Sequence, residues 1–85
     1  MDYIETTVIT EAAIMAAKGL RIEARPHPKR PGFYVFRGSG AADLEALDRA
    51  IRQRTVEVDP WRFLEARRRI LDFVKGKVNE LEQGD

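Results

Sequence analysis

Apolar and polar positions along the chain alternate with two different periods, and the switches between them divide it into six segments. Behind Thr6 and Thr7, either of which can cap a helix, Val8, Ile9, Ala12, Ala13 and Ala16 recur at the spacing of one helical face. Gly19, just past Lys18, has the character of the left-handed residue that closes such a helix. Leu20-Arg21-Ile22-Glu23-Ala24-Arg25 then alternates apolar with charged, the pattern of a half-buried strand. The stretch from Pro26 to Gly32 holds three prolines, each lacking an N–H, so the ladder must stop in a stiff, exposed hairpin loop. Phe33-Tyr34-Val35-Phe36 is the return strand, apolar on both sides, with one face against helices and the other partly open.

Gly38-Ser39-Gly40 ends that strand, with Ser39 a candidate cap for a second helix. Leu44, Leu47 and Ile51 give this helix a narrow apolar seam. Asp43 and Glu45 at its start and Arg49, Arg52 and Arg54 at its end suit the helix dipole. Thr55-Val56-Glu57-Val58 is β-branched and predicts a third strand or a strand-like bridge.

Asp59 and Pro60 announce the longest element. The carboxylate can accept from free N–H groups of a first turn, and proline's fixed φ suits the first helical position. At 100° per residue, Phe63, Leu64, Ala66, Ile70, Leu71, Phe73, Val74, Val78 and Leu81 share one half of the wheel. Arg62, Glu65, Arg68, Arg69, Asp72 and Lys75 occupy the other. Arg67 is misplaced, falling between Leu64, Leu71, Val74 and Val78, where an unpaired buried guanidinium would be costly. Either it pairs with a carboxylate such as Asp43, Asp48 or Glu57, or the helix is incompletely covered and offers Arg67 to a partner, with Trp61 and Phe73 at the borders of the apolar arc. Gly76 and the acidic end of the chain both weaken the helix, so residues 76–85 are expected to form a frayed or mobile tail.

The predicted fold is a single α+β domain over residues 1–85. Three helices pack a small two- to three-stranded antiparallel sheet in the order α-β-β-α-β-α; a helical bundle carrying a hairpin is the alternative. At 85 residues, 44% apolar and 34% charged, the chain suits one small globular unit. No apolar run approaches the roughly 18 residues of a membrane helix, and the first residues lack a signal-peptide pattern. With no cysteine there is no disulfide framework, and a cytoplasmic location is expected. The net charge of +1 conceals basic stretches over 21–37 and 62–77 and acidic ones over 1–20 and 38–59. The pI near 8.1 is below the value of about 9 typical of dedicated nucleic-acid binders.

Catalytic chemistry finds few candidates. Ser39 is the lone serine, set between glycines without a nucleophile-elbow motif, and reads as a cap. His27 is the lone histidine, held between prolines in the loop, and reads as a surface or partner-contacting residue. The Gly-Ser-Gly turn lacks the lysine or glycine pattern of a phosphate-binding loop. Zinc-ligand spacing is missing too. The expectation is therefore a protein that is not an enzyme and takes no cofactor or metal.

Three segments together resemble a known family: Ala12-Ala13-Ile14-Met15-Ala16-Ala17-Lys18-Gly19, the strand Tyr34-Val35-Phe36, and Val58-Asp59-Pro60-Trp61-Arg62-Phe63-Leu64-Glu65-Ala66-Arg67-Arg68-Arg69-Ile70-Leu71-Asp72. The chain is similar, from about Tyr3 to Lys75, to a small domain family of unknown function found in bacterial, archaeal and phage-like genomes. The triple-proline loop departs from that pattern's simpler turn. The resemblance implies no activity and no catalytic residues; it implies an accessory protein of phages or other mobile elements, such as a host-directed, anti-defence inhibitor. The functional expectation is a protein-interaction module whose partner-binding residues are Lys29, Arg30, Tyr34, Trp61, Arg67, Arg68 and Arg69. Two alternatives stand beside it. One is nucleic-acid binding by the basic loop and basic helix face, with strand aromatics stacking on bases. The other is homodimerisation through the aromatic sheet face or a strand edge.

Overall fold

The computed structural model describes residues 1–40 and 43–83, with side chains followed as far as Gly76. Three strands and three helices form the expected α+β domain: β1 (Ile4–Thr6), α1 (Ile9–Ala17), β2 (Arg21–Pro26), β3 (Tyr34–Ser39), α2 (Leu44–Gln53) and α3 (Pro60–Gln83). The sheet is antiparallel in the order β1-β3-β2, so β3 is central and β1 and β2 are its edges. The third strand is not where the β-branched run suggested. Thr55 to Val58 adopt no regular structure, whereas Ile4-Glu5-Thr6 pairs with β3, Ile4 opposite Gly38 and Thr6 opposite Phe36. The element order is thus β-α-β-β-α-α.

Two helix ends follow local rules closely. The Gly19 N–H donates to the Ala16 carbonyl and the Leu20 N–H to that of Met15, with Gly19 at φ 91°. This paired closure requires the left-handed conformation glycine adopts without strain. At the start of α3, Asp59 Oδ1 accepts from Trp61 N at 2.9 Å and from Arg62 N at 3.0 Å. Two other caps differ from expectation. Ser39 is still within β3, and α2 is capped by Asp43, whose carboxylate accepts from Ala46 N. Val8 stands at the head of α1, while the Thr6 hydroxyl accepts from Val8 N and donates to Glu11. The backbone of α3 is helical to Gln83; the tail expected over 76–85, with Val78 and Leu81, lies mostly outside the described side chains.

The core lies on one face of the sheet. Ile4 and Thr6 from β1, Tyr34, Phe36 and Gly38 from β3, and half-buried Ile22 and Ala24 from β2 all point to it. Helix α1 crosses this face and is covered in turn by α3. Ala12, Ala13 and Met15 are completely buried between the two layers. Helix α3 contributes Ile70 to the core and leans Phe63, Ala66 and Val74 against it. Its buried stripe is centred on Ile70 and is narrower than half a turn of the wheel.

Candidate functional site

A groove of about 460 Å³ runs between the free edge of β2 and the flank of α3. Its floor is made by Ala16, Ala17 and Gly19 at the end of α1 and by Phe36 of β3. Ile22 and Ala24 form the strand bank, and Arg62, Glu65, Ala66, Arg69, Ile70 and Phe73 the helix bank. The space exists because four of these positions are alanine, each only half-buried.

The strand bank also offers unused backbone. The His27 N–H donates to the Phe33 carbonyl across the hairpin at 2.8 Å. Antiparallel ladders alternate, so Arg25, Glu23 and Arg21 turn their N–H and C=O towards β3, while Ile22 and Ala24 turn theirs to the open edge. Pro26 closes one end of this edge, having no N–H. At the other end the Leu20 N–H is already engaged by Met15.

Charge around the groove is lopsided. On the helix bank Arg69 and Glu65 neutralise one another at 2.7 Å. Arg62 is exposed and forms no ion pair among the described residues, and the same holds for Arg21 and Arg25, which project from β2 on the outer face of the sheet. Glu23, between them, lies opposite Arg37, which Glu5 holds at 2.8 Å from the other side. The Glu5 hydrogen bond, with Tyr3 stacked 4.7 Å from the guanidinium, holds the Arg37 pKa above its ordinary value. The centre of the outer sheet face is thus a Glu5–Arg37–Glu23 ladder, with Arg21 and Arg25 left over.

The seven residues expected to bind a partner do not form one patch. Tyr34 is buried at 8% exposure, packed edge-on against Phe73, so it belongs to the core. Phe36 is buried as well, which removes both strand aromatics from any stacking surface; Phe33 alone stays outside, at 55%. Lys29 and Arg30 are exposed on the hairpin loop, which His27 organises by accepting from both of their backbone N–H groups at 3.1 Å. That loop adjoins the Phe73–Val74 level of α3. Trp61, 78% exposed, is twelve residues earlier, about 18 Å along the helix axis at 1.5 Å per residue.

Around α3 the arginines diverge too. Arg69 faces the groove, Arg68 lies further out beside Asp72 at 4.0 Å, and Arg67 faces away from the groove near half-buried Leu71 and exposed Leu64. Arg67 is exposed and has no ion pair among the described residues; of its anticipated partners, Asp48 holds Arg52 and Asp43 caps α2. Arg21, Arg25 and Arg62 are visible in the sequence as basic residues, but that Arg62 lines the groove while Arg21 and Arg25 flank its strand edge on the outer sheet face depends on the pairing of β2 with β3 and the docking of α3. Among the described residues no cluster of His, Cys, Asp or Glu could hold a metal ion, and no helix is long and apolar enough to cross a membrane.

No family model, curated protein or solved structure matches the chain.

Proposed function

We propose that this chain is a non-enzymatic protein-interaction module that docks a partner in the groove between β2 and α3. One observation carries the reading: an unpaired strand edge borders an apolar groove of a size that accepts side chains. Proteins guard exposed strand edges because the free N–H and C=O groups recruit other chains. Here proline restricts only one end of the edge, and the neighbouring floor is shaped by small side chains rather than filled. Strand addition supplies affinity through backbone hydrogen bonds and selectivity through pockets for alternate side chains, and this groove has both elements. In a mobile-element accessory protein, the partner would be a host protein.

A random-peptide display selection against the wild-type chain and an Ala24→Pro variant tests this. Ala24 directs its N–H to the open edge, so proline there removes an edge donor without breaking the ladder to β3. The expected outcome is a set of peptides that bind the wild type and are lost on the variant, whose circular dichroism and melting remain native. Peptides that bind both proteins equally, or no enrichment at all, would refute the groove as the docking site.

A further inference from the structure

We infer that the occupant of the groove is an extended acidic segment of a partner protein. It adds antiparallel to β2 with carboxylates opposite Arg21 and Arg25 and small apolar side chains opposite Ile22 and Ala24. This rests on the groove being the docking site and specifies what enters it.

Ile22 and Ala24 direct their backbone groups to the free edge and their side chains into the groove. A strand placed there therefore inserts the residues opposite Ile22 and Ala24 into the space under Ala66 and Ile70, where apolar side chains of modest size fit. Residues opposite Arg21, Glu23 and Arg25 occupy non-hydrogen-bonded pairs, the closer type, with Cα atoms about 4.5 Å apart. Opposite charges stabilise such pairs and like charges oppose them. Arg21 and Arg25 lack ion-pair partners among the described residues, whereas Glu23 already lies opposite Arg37. The complementary segment reads acidic, apolar, neutral, apolar, acidic. Arg62 on the helix bank adds a third uncompensated cation.

A second copy of the chain is the obvious competitor for a strand edge, and the same bookkeeping disfavours it. Two β2 strands paired about Glu23 would set Arg21 against Arg25 and Glu23 against Glu23, like charges at the close positions. Pairing about Ala24 brings Pro26, with no N–H, to a hydrogen-bonding position. Pairing about Ile22 brings Leu20 there, its N–H already given to Met15. Every symmetric register loses either charge complementarity or a donor.

The test titrates the full chain with a peptide, Ser-Gly-Glu-Val-Thr-Val-Glu-Gly-Ser, and with a counterpart carrying lysine in place of both glutamates, followed by amide NMR. The glutamate peptide should bind at least about tenfold more tightly than the lysine peptide, shift the Ile22 and Ala24 amides, slow their exchange, and weaken with added salt. Arg21→Glu with Arg25→Glu, both exposed positions, should reverse the preference, an outcome that general damage to the fold would not produce. Equal binding of the two peptides overturns the inference. So do shifts centred on Trp61 and Leu64 instead of β2, or peptide-independent shifts of Ile22 and Ala24 that grow with protein concentration, the signature of a second copy. If display peptides depend on Ala24 but carry no acidic residues, docking in the groove survives and the acidic occupant does not.

Discussion

Adding a single methyl group at Gly38 probes how closely α1 lies on the sheet. Gly38 sits in the central strand between Ile4 and Ile22, buried, with backbone angles that alanine adopts without strain. A Cβ built there would lie 2.9 Å from Leu20 Cδ2, 3.0 Å from Met15 Sδ and 3.3 Å from Ile22 Cδ1. All three are side-chain ends that can shift, but Met15 is fully buried and has no solvent to retreat into. Overpacking of this kind costs about 1–3 kcal/mol, and replacing glycine by alanine returns about 0.4–1 through the unfolded chain. Because the contacts at 2.9 and 3.0 Å place the clash in the middle of that overpacking range or above, Gly38→Ala should destabilise by about 1–2 kcal/mol, and Gly38→Val by more. For a domain of this size that corresponds to a fall in Tm of roughly 4–16 °C for alanine. Urea unfolding followed by far-ultraviolet circular dichroism is the assay, since Trp61 is too exposed to report on the core. Met15→Ala alone should cost about 2–5 kcal/mol, and the double variant should fall short of additivity because each change relieves the other. An alanine variant as stable as the parent, with strictly additive behaviour, would refute the close approach of α1.

Other substitutions test separate features. Asp59→Ala removes a carboxylate that accepts two backbone N–H groups and should cost about 1 kcal/mol in urea unfolding, with Asp59→Asn costing less. Arg54 ends α2 in the left-handed region at φ 58°, so Arg54→Gly should leave stability unchanged or raise it by up to about 1 kcal/mol, measured as Tm. Arg67→Ala should change unfolding free energy by no more than about 0.5 kcal/mol, because the side chain is exposed and forms no ion pair among the described residues; a loss above 2 would mean it is paired after all.

Local chemistry made the helices legible and long-range pairing did not. Asp59-Pro60 and Gly19 act through bonds within a few residues, so their roles could be read directly. Strand β1 spans three residues, too few to display a period, and exists only because β3 lies beside it. Thr55 to Val58 have strand propensity but pair with no strand, and Val56 instead leans half-buried on the core. The face of Tyr34 is undecidable from Phe33-Tyr34-Val35-Phe36 alone, which is apolar on both sides; in the fold Tyr34 lies on the core face, packed against Phe73. Arg67 is anomalous only if the apolar arc is wholly covered, and of the two readings the sequence leaves open the structure shows the incompletely covered one. The coverage of α3 stops short of Leu64, which is 54% exposed, so the guanidinium is in water. For the groove, the basic residues were visible in advance but the cleft was not, since it arises from what alanines fail to fill between elements distant in sequence.

Those alanines come in two kinds. Ala12 and Ala13 are sealed between layers, while Ala16, Ala17, Ala24 and Ala66 are half-open to the cleft. Enlarging the first pair would pry the layers apart. Enlarging members of the second would reshape the cleft one methyl at a time while leaving the interior alone, so natural drift or a designer could retune the shape of the cleft with little risk to whether the chain folds.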